Sequence, residues 1–412
     1  MSTQLQAAKA EGSAAVSDRE KARVRRRDLI KKLQEKRTSR LVLVYITSTR
    51  PGHEIQMADD VVRRLYDHLE RGKKLAEGGV DLFIHSNGGS GTVPWRLVTL
   101  IREYTKHFAL LVPHHAFSAA TLTAMGADEI VMHRNGCLGP IDPSVANIFN
   151  PPHPFAPGQP APISVEDVTA YFKLVTDEVG IKHEDELVQA LLALTEKIHP
   201  LALGNVQRSH NQARMMARKL LKLHMPSEAE EHKIGQIIET LKSNLFYHGH
   251  PINRAEAEKD LALKIVPAVP ELEQVMWELY LEYEQALHMT EPFNPIHEME
   301  MRPLPAPQVP LTTQAIVQQM IQMHQNGISL PGVTEEQIVK LAAAMIPFVT
   351  GGQPPSNKVK IDAIPGGYIE SEGLTHVFLS DLTIERTLMN TPAGPQEALK
   401  QEVRWQRWEE EK

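Results

Sequence analysis

The chain has a single cysteine among 412 residues, Cys137, so an intrachain disulfide is excluded. That fits a reducing compartment and a cytoplasmic location, although it does not rule out export. Aromatic residues make up only 5% of the sequence, which leaves the core to Leu, Val, Ile, Ala and Met. No apolar run approaches the ~20 residues needed to span a bilayer. The first residues, Met1 to Val16, are polar and lack an apolar signal core. The sequence therefore predicts a soluble protein, at most peripherally associated with a membrane. There is no GxGxxG fingerprint after a strand, no P-loop and no His-Glu-x-x-His spacing. A bound dinucleotide, an internal ATPase motor and a zinc-protease centre are thus not expected, and no cofactor is implied. Net charge is -7 but unevenly spread. Residues 18–40 hold eleven Lys or Arg against four acidic residues, and the remainder is clearly acidic. Such a body offers no footprint for nucleic acid.

What is present is a succession of short apolar runs and helical patterns. Ser17-Asp18-Arg19-Glu20 reads as a capping box opening a basic helix that runs to about Arg40, after a disordered start. Val24, Leu29, Ile30 and Leu33 give that helix one thin apolar stripe. Leu41–Thr47, Val80–Ile84, Phe108–Val112 and Glu129–Met132 read as strands. Helical spacing falls between them, at Ile55 to Leu69, Pro94 to Tyr104 and Ser118 to Met125. Successive strand–helix units imply a parallel sheet with right-handed crossovers, and sites in such sheets form at the carboxyl ends of the strands.

Residues 149–164 hold six prolines and predict a long loop or lid. Val165 to Leu223 is helical in pattern, Glu256 to Ala262 forms a short helix, and residues 271–290 another. Pro292 to Pro310 predicts an extended linker, Thr312 to Ile346 an amphipathic helical region, and Lys358 to Leu388 a strand-rich stretch. The expected division is 1–40, 41–270, 271–310 and 311–412, the last without a readable role.

Two turns carry chemistry. His85-Ser86-Asn87-Gly88-Gly89-Ser90 follows one strand, and Ala116-Phe117-Ser118-Ala119-Ala120-Thr121 follows the next. Together they can set a serine hydroxyl opposite free backbone amides, the combination that acyl transfer needs. Ala119 directly follows Ser118 and its amide is a natural oxyanion donor. Glycine at 88 and 89 lets the backbone turn its N–H groups outward. Taken alone, Ser118 would read as an ordinary N-cap and Asn87-Gly88 as an ordinary turn. Their pairing on neighbouring strands points to a hydrolytic or acyl-binding site. His114-His115 precede the serine. Neighbours on an extended chain face opposite sides, so a shared metal is not expected.

The strings HSNGG and VPHHAFSAATLTAMGADEIVMHRNGCLGPIDPS, followed by LTEKIHPLALGNVQRSHNQARMMARKLL and LFYHGHPINRAEAEKDLALKIV, resemble the serine dehydrogenase proteinase family. That family is related to signal-peptide peptidase A and, more distantly, to ClpP. The resemblance covers about residues 40 to 290. It implies an α/β fold of the ClpP/crotonase-like spiral type with a parallel sheet, to which the sequence pattern adds a helical extension and a small C-terminal α+β region. It further implies a serine endopeptidase acting on peptides or proteins, assembled as a ring-like homo-oligomer. Ser118 matches the nucleophile, and Gly88, Gly89 and Ala119 match the oxyanion positions. The base is ambiguous. Where ClpP-like proteins place a histidine, this chain has Asp142, to which a substrate-orienting role can be given. Relatives of signal-peptide peptidase A use a later lysine, for which Lys197 and the nearby His199 are the candidates, with Lys173 and Lys219 behind them. Two other readings stand beside the peptidase: a crotonase-type acyl-CoA enzyme, and a noncatalytic scaffold or assembly protein that kept the fold and lost its base.

Overall fold

The computed structural model describes residues 2–141, 144–153, 159–241, 250–297, 358–391 and 394–411. Asp142 and the expected helical region of residues 312–346 lie outside the described residues, as does the linker beyond residue 297. The chain forms two compact units, residues 1–292, 365–378 and 408–412 in the first, and 293–364 and 379–407 in the second. These cut across the division expected from sequence, because the C-terminal stretch contributes to both.

In the first unit, α1 (Ser2–Lys36) begins well upstream of the Ser17 capping box, through residues expected to be disordered. Five alanines between residues 7 and 15, the strongest helix formers, favour this continuation. Its buried stripe is Arg23, Arg26, Ile30, Leu33 and Gln34, whereas Val24 is exposed. The parallel strands are β1 (Leu41–Thr47), β2 (Val80–His85), β3 (Phe108–Val112) and β5 (Glu129–Met132). Every residue of the first three is buried, as largely apolar runs covered on both faces require, and the polar exceptions in β2, Asp81 and His85, are buried with them. The crossovers are α2 (Asp60–Arg71), α3 (Val93–Tyr104) and, after the two-residue β4 (His115–Ala116), α4 (Ala119–Met125).

Leu43 pairs with Leu82, Leu82 with Leu110 and Leu110 with Ile130, so the strands are in line across the sheet. Strand β6 (Cys137–Leu138) pairs with β4, and β7 (Ile252–Asn253) with β6. The helical extension consists of Val165–Lys173, Glu184–Thr195 and Pro200–Leu221. A fifth parallel strand, β8 (Ile265–Pro267), lies outside β5, and α5 (Pro270–Ala286) follows it. The chain returns in three long strands, β9 (Lys358–Ser371), β10 (Leu374–Thr391) and β11 (Gly394–Glu410). The complete order is β8-β5-β3-β2-β1-β9-β10-β11. Within the first unit β9 runs antiparallel to β1, Tyr45 opposite Ile369. The molecule is thus a mixed α/β protein with a large, mostly parallel sheet. No described helix is long and apolar enough to cross a membrane.

Two buried ionic anchors fix the first unit. Arg26 Nε donates to Glu370 Oε2 at 2.7 Å, where the Tyr283 hydroxyl at 2.7 Å and Thr375 at 2.8 Å also donate to the same carboxylate. At the opening of β2, fully buried Asp81 accepts from Arg37 at 2.6 Å and Arg40 at 3.4 Å. The second unit has a small core of Phe293, Val359, Ile361, Leu382 and Ile384. Arg407 pairs with Asp381 at 2.8 Å on its polar side. The described C-terminal part is all strand, as the β-rich pattern of Lys358 to Leu388 predicts.

Candidate active site

Both chemistry-bearing turns sit at the carboxyl ends of adjacent strands, β2 and β3. They are stitched together by their own backbones. Ser86 N–H donates to His115 O at 3.2 Å, and Phe117 N–H donates to Ser86 O at 2.9 Å. The Ser86 hydroxyl receives Thr47 Oγ1–H at 2.8 Å and the Gly88 N–H at 3.0 Å. Met57 is the third wall, its N–H donating to Gly88 O at 2.8 Å and its carbonyl accepting from Ser90 N–H at 2.9 Å.

Ser118 stands at the N-cap position of α4 with φ 53° and ψ −113°, and its side chain makes no capping hydrogen bond. This disposes of the ordinary N-cap reading. A left-handed φ on a residue with a Cβ costs about 1–2 kcal/mol and persists only where the surroundings impose it. Such a sharp strand-to-helix corner pushes the hydroxyl outward, as in nucleophile elbows. No hydrogen bond of the Ser118 hydroxyl is found among the described residues. The surroundings that impose the corner are identifiable. The Thr121 hydroxyl lies 2.7 Å from Ala116 O and accepts Gly139 N–H at 3.1 Å, locking the far side. On the near side Gly88 abuts the serine. A Cβ on Gly88 would lie 2.6 Å from Ser118 Cβ, 2.7 Å from Phe117 O and 3.0 Å from Ala119 N.

Residues 14–198 match the family of ClpP-like SDH-type serine proteinases. It is the family that the HSNGG and HHAFSAAT motifs resemble. Two uncharacterized proteins of Methanocaldococcus jannaschii are similar over 201 residues. One is 27% identical, over 49% of this chain and 58% of its own length. The other is 25% identical, over 49% of this chain and 56% of its own length. The chain thus spans somewhat over half the length of these curated relatives. Among solved structures, a membrane-bound stomatin-specific protease is 12% identical, with 57% of this chain and 84% of that chain covered and a TM-score of 0.31.

The amides near Ser118 are not equivalent. The Gly88 N–H, expected to be an oxyanion donor, is taken by Ser86 Oγ. No described hydrogen bond takes up the N–H of Gly89 or of Ala119. Gly89, at φ +154°, packs against Met57, whose O and N would lie 2.4 and 2.5 Å from a Cβ.

Lys197 is exposed in the segment between the helices Glu184–Thr195 and Pro200–Leu221. His199 caps the second of these, its Nδ1 accepting the Leu201 N–H at 3.1 Å, and its ring stacks on Phe149 at 5.0 Å. Lys219 lies over the Trp95 ring at 5.4 Å, and Lys173 is exposed. No hydrogen bond or ring contact links any of them to Ser118 among the described residues.

Three histidines do stand beside the two turns. His85 ends β2 and is completely buried. His114 and His115 follow β3, where a bend at Pro113-His114 brings their rings to one side, 4.8 Å apart between centroids. Opposite faces were expected of an extended pair; the bend removes that premise. Burial pushes His85 far below the usual imidazole range, with neighbouring His115 and His114 adding to the effect. Burial, then His114, brings His115 down to about 3, and burial lowers His114. All three rings are therefore neutral near pH 7. Trp277 and Tyr280 of α5 wall them in, Tyr280 stacking on His114 at 5.1 Å and Trp277 on His133 at 5.1 Å. Sequence reasoning saw only a His-His pair here; the signal it lacked was that His85 ends the neighbouring strand.

Proposed function

We propose that the protein is a serine endopeptidase in which Ser118 Oγ attacks a peptide carbonyl to form an acyl-enzyme. The carrying observation is the strained, uncapped Ser118 wedged against Gly88. A serine kept at positive φ with its hydroxyl unspent is preorganised for attack rather than for holding a helix end. The developing oxyanion is stabilised by Gly89 and Ala119 N–H, each without an acceptor among the described residues, and such donors are worth about 3–4 kcal/mol apiece in acyl transfer. Gly88 keeps the turn thin enough for the two segments to meet. Asp142, two residues beyond Pro140, orients substrate.

The described surroundings of Ser118 supply no base in contact with it. We assign the base to Lys197 or His199 reaching the site from a second copy of the chain in a homo-oligomer; their exposure supports a role outside their own subunit. Substrates are peptides or unfolded protein segments. The test is hydrolysis of a mixed peptide library followed by mass spectrometry, comparing the wild type with Ser118→Ala. Cleavage that vanishes in the variant supports the reading. Cleavage that persists in Ser118→Ala overturns it, as does a folded wild type that binds acyl-CoA and leaves every peptide intact.

A further inference from the structure

We infer that His85, His114 and His115 form a binding site for one divalent transition-metal ion of the zinc class. Each residue offers one ring nitrogen, and these nitrogens lie within 4.8 Å of one another. A tetrahedral ion with bonds of ~2.0–2.1 Å would hold its ligand nitrogens roughly 3.4 Å apart, so closure needs ring movements of about an ångström.

The hydrogen bonds around the rings define which atoms are available. Thr49 Oγ1, which donates to Met289 Sδ at 3.4 Å, lies 3.3 Å from His85 Nε2 and engages that nitrogen. His85 Nδ1 is buried and has no hydrogen-bond partner. A buried polar atom left unmet costs about 1–3 kcal/mol, which an ion would recover. His115 Nε2 donates to Asn87 Oδ1 at 2.9 Å, which leaves its Nδ1 as a bare lone pair facing His114 Nδ1 at 2.9 Å. In the metal-free chain His114 fills this contact with its own Nδ1–H; moving that proton to Nε2 turns the same nitrogen into a third ligand. Oxygen partners on the remote nitrogens of His85 and His115 are the outer-shell arrangement that orients metal-bound imidazoles.

The donor set selects the ion. Three imidazoles without a carboxylate suit Zn2+, Co2+, Ni2+ or Cu2+ rather than Mg2+ or Ca2+. Cys137 is not among the side chains whose ligand atoms converge there. A bound ion would tie the end of β2 to the segment leading into Ser118, so it would brace both turns of the candidate active site without touching the serine.

The experiment is Zn2+ titration of the untagged full chain after chelator treatment and dialysis, against a chromophoric competitor, with Co2+ as an optical reporter. The expected result is one ion per chain and tetrahedral Co2+ absorption in the visible range. His114→Gln and His115→Gln should each weaken binding at least tenfold, since losing a ligand costs no less than losing an outer-shell partner, whose removal costs ~10–100-fold. A wild type that retains no Zn2+ overturns the inference, as do variants that bind with unchanged affinity and stoichiometry. X-ray absorption of the wild-type Zn2+ form guards against misfolded variants: about three imidazole nitrogens at ~2.0–2.1 Å are expected, and a shell with fewer than two imidazoles overturns the site. None of these readouts depends on peptidase activity.

Discussion

Replacing Gly88 by alanine is the sharpest structural perturbation available near Ser118. The added methyl would meet Ser118 Cβ at 2.6 Å and Phe117 O at 2.7 Å, at a residue whose φ is +95°. The left-handed backbone costs about 1–2 kcal/mol once a Cβ is present. Forced overlap with backbone in a packed site adds about 1–3 kcal/mol. Together the two effects give roughly 2–5 kcal/mol. At about 2–4 °C per kcal/mol this lowers the melting temperature by roughly 4–20 °C. Gly91 is the internal control. It lies three residues on, has no positive φ, and a Cβ added there would meet no atom within 4 Å. Gly91→Ala should stay within about 0.5 kcal/mol of wild type. Thermal melts by circular dichroism read the stability difference. The rate of covalent labelling by a serine-directed phosphonate reads the position of Ser118, for which a shift of an ångström costs about a hundredfold. If Gly88→Ala melts and labels like the wild type, the contact between the two turns is not as described.

Arg26→Met should destabilise by about 3–5 kcal/mol in urea unfolding, because Glu370 is left as a buried, uncompensated carboxylate. The Arg26→Met/Glu370→Gln double variant should recover part of that loss, and equal losses would refute the pairing. Acid should weaken the fold through His68, which is fully buried and held down to about 3 by burial first and by neighbouring His376 second. Below the ordinary imidazole range the unfolded chain takes up a proton that the folded chain refuses. Stability is thus complete above ~6.5 and falls as pH drops toward 3, by roughly 2 kcal/mol at pH 5 from this residue alone. Urea midpoints at pH 7.5 and 5 should show the slope, and His68→Asn should reduce it by about this residue's share. If Lys197 or His199 is the base, one of Lys197→Ala and His199→Ala should lose at least about a hundredfold in peptide cleavage; full activity in both removes them.

Four of the parallel strands were legible because each is a short, largely apolar run, and a run such as Leu41–Thr47 has no polar face to leave in water. The two turns were legible because Gly88-Gly89 and Ser118 interrupt the pattern at equivalent points. Much of the rest depends on distant partners. Arg26 sits in a basic helix and reads as solvated, yet it is only 2% exposed, because Glu370, 344 positions away, receives it. Strand β8 is three residues long and ends in proline, too short for a period to show. The return of residues 365–371 beside β1 is a pairing over more than three hundred residues, for which no local pattern exists. Gly88 and Gly89 look alike in sequence. Only Ser86, fixed by Thr47, decides that one amide is occupied and the other is not. The convergence of His85, His114 and His115 likewise follows from a bend and a strand neighbour, not from spacing.

The central claim is an activated serine at position 118, and the direct measurement is to treat the purified chain with a fluorophosphonate probe and map the adduct by peptide mass spectrometry. The account predicts a single adduct on Ser118 and none in Ser118→Ala. A well-folded wild type that stays unlabelled, or an adduct on another serine, would contradict it.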